Sequence, residues 1–93
     1  MAASPALAND NVRALFYAVG LADPELLPRL IAPLGKLGVV PCRIHASRED
    51  GNGTELSVEL RFRSLSGHVA KQIESALRRT VGVRQVIVAI EGA

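Results

Sequence analysis

Residues 12–46 read VRALFYAVGLADPELLPRLIAPLGKLGVVPCRIHA, and this run decides the fold. Residues 12–20 place Ala14, Phe16 and Ala18 on one side and Leu15, Tyr17 and Val19 on the other, which predicts a strand apolar on both faces. A strand with one side in water usually carries polar residues on that side. Gly20 is expected to close the strand. Asp23-Pro24-Glu25 then reads as a helix start, with Asp23 as cap, Pro24 in the first helical position and Glu25 favoured by the positive end of the helix.

Leu26, Leu27, Leu30, Ile31, Leu34 and Leu37 follow at helical spacing, and Gly38 is placed to end the helix. Pro28 and Pro33 lie inside that stripe. An interior proline removes a backbone hydrogen bond at a cost of about 3 kcal/mol, so a kinked or broken helix is expected. Residues 39–46, VVPCRIHA, predict a second strand, and Pro41 within it assigns that strand to a sheet edge.

The second half echoes the first. Residues 47–53, SREDGNG, are rich in turn formers and predict a hairpin with a mobile tip. Residues 55–63, ELSVELRFR, alternate cleanly: Leu56, Val58, Leu60 and Phe62 inward, Glu59, Arg61 and Arg63 outward. Ser66 caps a second helix, with Val69, Ile73, Ala76 and Leu77 facing the core and Lys71, Glu74, Arg78 and Arg79 facing water; Gly82 is expected to end it. Val86, Val88 and Ile90 then face inward on a last strand, leaving Ile87 and Ala89 outward. The order β-α-β-β-α-β predicts an α+β ferredoxin-like sandwich, a four-stranded antiparallel sheet of order 4-1-3-2 with two helices on one face. Residues 1–10 read as a flexible tail and residues 11–93 as a single domain.

Ninety-three residues bury only a modest core, so a chain of this size often leans on association. Eleven Lys and Arg against nine Asp and Glu give a net charge of +2, too small an excess to imply nucleic acid. The single cysteine, Cys42, can form no internal disulfide and lacks the neighbours of a metal site, which fits a reducing cytoplasm. There is neither a signal-peptide pattern nor a run long enough for a membrane span.

Chemistry-bearing patterns are sparse. His45 and His68 belong to no triad or ligand motif, and no glycine-rich phosphate cradle follows a strand. A catalytic role is therefore not expected, nor any metal or cofactor; a small enzyme would need a site assembled across a dimer interface. RNA-recognition modules share this strand order but stack bases on aromatic residues of the central strands. Here Phe62 points inward and Tyr17 stands alone. The stronger signal is the open sheet face, where Leu15, Tyr17, Val19 and Ile87 with Ala89 are expected side by side as a contact patch.

Residues 21–46, LADPELLPRLIAPLGKLGVVPCRIHA, resemble an ACT domain. The likeness rests on Asp23-Pro24 after the first strand, Leu27 and Arg29 beyond it, and Gly38 before Val39-Val40; ELSVELRF and VGVRQVIVAI extend it over residues 12–90. Within that family the chain is most similar to the small regulatory subunit of acetolactate synthase, in its short single-domain form. The resemblance implies a non-catalytic regulatory or activating subunit in branched-chain amino-acid biosynthesis, homodimeric and partnered with the catalytic large subunit. The alternative it implies is a free-standing amino-acid sensor of another pathway. An effector would sit at Ala22, Asp23, Glu25 and Leu26, and a dimer would pair along Val40, Cys42 and Ile44. Where ligand-binding members carry Asn and Gly around the turn's proline, this chain has Ala22 and Glu25.

Overall fold

The structure, a computed structural model, describes residues 11–48 and 53–92. The expected N-terminal tail and the tip of the 47–53 loop lie outside the described residues. The elements run β1 (Asn11–Leu21), α1 (Leu26–Leu37), β2 (Arg43–Ser47), β3 (Glu55–Ser66), α2 (Gly67–Arg78) and β4 (Val83–Gly92). They form one antiparallel four-stranded sheet of order β2-β3-β1-β4. This is the ferredoxin-like βαββαβ fold that the periodicity predicts.

Alternation along the two central strands builds the core. Phe16, Leu60 and Val58 are fully buried beneath Leu26 and Leu30 of α1 and Ile73 and Leu77 of α2. Phe16 and Phe62 meet edge to face at 5.9 Å, the arrangement that the ring quadrupoles favour. In β3 the alternation breaks once. The register with β1 shifts between Val12 and Ala14, and this places Leu65, beyond the regular run of even-numbered inward residues, back in the core. In α2 Ala70 is fully buried, with Val69 packed against the core and Ala76 half-buried.

Several expectations about boundaries are corrected. Gly20 does not close β1, which continues to Leu21. A Cβ on Gly20 would lie 2.3 Å from the Gly82 carbonyl oxygen and 2.9 Å from Leu26 Cδ2, so this glycine permits a backbone crossing within the strand. The second helix ends at Arg78 rather than at Gly82. Gly82, at φ +97, instead forms the turn into β4.

The first helix is not broken: α1 runs continuously from Leu26 to Leu37 with Pro33 inside it. Pro28 falls in its first turn, where the backbone N–H has no partner within the helix, so it removes nothing. Pro33 deprives the Arg29 carbonyl, but Arg29 is on the exposed side, where water can serve that oxygen. Gly38 ends the helix as expected, in the left-handed region (φ 70), with the Val39 N–H closing onto the Leu34 carbonyl at 3.0 Å.

The second strand is shorter than expected. It spans Arg43–Ser47, so Pro41 precedes it rather than interrupting it. The edge position holds, since β2 has β3 as its one neighbour among the described strands.

Candidate functional site

Three places on the molecule bear on function: the turn between β1 and α1, the free edge at β2, and the open face of the sheet.

The turn carries Ala22, Asp23, Glu25 and Leu26, and it is closed by its own hydrogen bonds. Leu21 donates to the Gly82 carbonyl at 3.2 Å, Ala22 to Thr54 at 2.9 Å, Asp23 to Leu21 at 2.8 Å and Leu26 to the Asp23 carbonyl at 3.0 Å. Glu25 N–H donates to Asp23 Oδ1 at 2.8 Å, and Pro24 has no N–H to offer. Asp23 therefore caps a turn that stands ahead of the helix, while Glu25 occupies the cap position itself without using its side chain on the backbone. This corrects the expectation of a helix beginning at Pro24. The Glu25 carboxylate instead pairs with Arg29 at 2.6 Å. Leu26 is 1% exposed, its side chain in the core against Gly82. Of the amides at this helix N-terminus, where a ligand carboxylate is favoured, those of Glu25 and Leu26 are already engaged, the first by a carboxylate from the chain itself.

At the free edge, Ile44 lies on β2, whereas Val40 and Cys42 precede the strand; that part of the expected pairing edge is not strand. Cys42 N–H still reaches the Arg61 carbonyl at 2.8 Å, so the chain runs alongside β3 from residue 42 onward. Val40 is 86% exposed. Ile44 pairs with the fully buried Leu60 yet is 44% exposed: it points to the helix side of the sheet at a place the helices leave uncovered.

The open face is set by register. Tyr17 is directly opposite Ile87, and Leu15 opposite Ala89; Tyr17 and Ile87 are exposed, Leu15 and Val19 half-buried. The four expected patch residues are therefore brought together on β1 and β4. Across the sheet the same rows become polar. His45, Glu59, Tyr17 and Ile87 form one row, and Arg43, Arg61, Leu15 and Ala89 the next.

The second of those rows borders an open cleft of about 710 Å³ whose lining includes Arg13, Arg43, Arg61 and Arg63 together with Leu15 and Ala89. Sequence reasoning sees Arg61 and Arg63 on an outward face but misses the cluster. Residues 13, 43, 61 and 63 come from three strands, and only the register of those strands unites them. The available signal was the outward parity of each position, combined with the strand order.

Among the described residues no three His, Cys, Asp or Glu side chains are grouped as a metal site would require, and no helix is long and apolar enough to cross a membrane. No curated protein matches the chain. A family model, that of the ACT-like domain, matches residues 7–91, nearly the whole length. Domains of this family are regulatory, ligand-binding modules that commonly bind amino acids and dimerise. The match takes in all four strands and both helices but for the last residue of β4, and the chain belongs to the ACT-like domain family.

Proposed function

We propose that this chain is a non-catalytic regulatory subunit that acts by contact with a partner enzyme, and that the partner is the catalytic large subunit of a thiamine-diphosphate-dependent acetolactate synthase. The observation that carries the contact reading is the closed turn. The donors at Leu21, Ala22, Asp23, Glu25 and Leu26 are all satisfied within the chain, one of them by the Asp23 carboxylate. An amino-acid carboxylate placed there would have to displace a hydrogen bond and accept a like charge nearby. The apolar open-face patch of Leu15, Tyr17, Val19 and Ile87 supports docking, since contiguous exposed apolar surface marks protein contact. The choice of partner rests on the sequence likeness of residues 12–90 to the short small subunit of that synthase. A homodimer paired along the free edge from Ile44 fits the same reading, because an unpaired strand edge is a template for a second chain.

The second reading is a free-standing amino-acid sensor, favoured by the family's usual ligand. Co-expression with the large subunit tests the first. Co-elution and raised synthase activity are expected, and Ile87→Glu should abolish both while the isolated chain stays folded. No co-elution and no change in activity would defeat the assignment. A thermal-shift screen of the common amino acids tests the second. A ligand at about 100 times its dissociation constant adds about 2.7 kcal/mol, and such a shift would replace the contact reading with the sensor.

A further inference from the structure

The charged groups of this domain are distributed unevenly. Elsewhere three of the five arginines are paired with a carboxylate, Arg29 with Glu25, Arg78 with Glu74 and Arg84 with Glu55, and Arg48 holds the Gly53 carbonyl. At the end of the open face that holds the start of β1 and the finish of β3, they accumulate instead. Arg13, Arg43, Arg61 and Arg63 line one cleft with a single acid, Glu91. Glu91 is set opposite Arg13 by the register, yet the two form no ion pair. Arg61 holds Glu59 at 2.8 Å; among the described residues, Arg13, Arg43 and Arg63 have no carboxylate partner.

Arg43 and Arg61 are moreover direct cross-strand partners. Side chains so placed have Cβ atoms about 5 Å apart, and like charges in that position destabilise a sheet. A merely solvated face has no need of that arrangement. Guanidinium groups present paired donors that match carboxylate and phosphate oxygens. The floor they surround is apolar, built from Leu15 and Ala89, and low-dielectric walls strengthen the field of the charges around them.

We propose that this arginine-lined end of the open sheet face is a binding site for a compact polyanion carrying two or more phosphate or carboxylate groups. The anion bridges Arg43 and Arg61 and relieves their repulsion, with Arg63 and Arg13 completing the charge. The site goes beyond the contact function proposed above and is separate from the β1–α1 turn.

The test uses the isolated chain at low ionic strength, so its outcome does not depend on any partner enzyme. Inorganic pyrophosphate and citrate are titrated separately while the arginine Nε–H signals are followed by NMR. Saturable shifts centred on Arg43, Arg61 and Arg63 are expected. The variant carrying Arg43→Gln and Arg61→Gln should bind at least about tenfold more weakly, with an amide spectrum that remains folded. Lys36→Gln, on the helix side, should leave binding unchanged. Tighter binding of pyrophosphate assigns the site to phosphates, and tighter binding of citrate to carboxylates. Absence of saturation at millimolar concentration, or equal affinity in the double variant, overturns the proposal. So does tighter, steeply salt-dependent binding of an oligouridine of about a dozen nucleotides, which would make this face a nucleic-acid interface.

Discussion

The two ends of β1 are opposites. At its far end the backbone donors of Leu21, Ala22, Asp23, Glu25 and Leu26 all have partners, and the packing leaves no room for a methyl group on Gly20. At its near end, around Arg13 and Leu15, guanidinium groups gather from three strands with too few carboxylates to match them. The first end is where the family's ligands are expected, yet it is self-satisfied. The second end enters the sequence reading only through Leu15, as part of an apolar contact patch, yet it holds the unmet charge. A recognition site is better sought where physical demands are left open than where a family's precedent points.

The contrast can be broken most sharply at Gly20. Its backbone is not in the left-handed region, so Gly20→Ala tests packing alone. An added Cβ at 2.3 Å from a backbone oxygen forces the β1–β4 crossing apart, with a loss of about 3 kcal/mol expected in denaturant unfolding. A loss under about 0.5 kcal/mol would show that the closed end is looser than its geometry implies.

Asp23 is the next lever. Asp23→Ala removes the acceptor for the Glu25 amide and should cost about 1 kcal/mol, the usual net worth of one hydrogen bond. Its thermal-shift response to amino acids should stay flat. If the variant gains a saturable response to an amino acid, the Asp23 carboxylate has been acting as the stand-in for a ligand, and the closed end is a site after all.

The smallest effect is expected at the open end. Arg43→Gln removes one of two directly opposed like charges and leaves the Arg61–Glu59 pair intact. Without added anion its melting temperature should hold or rise slightly, by the equivalent of up to about 0.5 kcal/mol. A clear fall would mean that Arg43 is a structural residue and that the cluster is held together by the fold rather than kept open for a ligand.

Much of the architecture was legible because it is local. The alternation of Leu56, Val58, Leu60 and Phe62 and the stripe of Leu26, Leu30 and Leu34 declare their faces directly, and both sets are found in the core or packed against it. The errors fall where a local rule meets a long-range partner. Glycine after an apolar run suggests a strand end at Gly20, while the reason for the residue is the Gly82 carbonyl more than sixty residues away. Pro33 predicts a kink or break by its missing N–H, but the helix runs continuously through it with Leu26, Leu30 and Leu34 buried.

What the sequence by itself determined is the order of elements, the inward and outward parity of each strand and the apolar character of β1. These depend on side-chain periodicity within one segment, which any window of the chain contains. Only the tertiary structure decided that the β1–α1 turn is filled by its own donors and acceptors, and that four arginines from three strands share one cleft. Both facts depend on register, the sliding of one strand against another. A hydrogen-bond partner or a neighbouring charge exists only once that alignment is made.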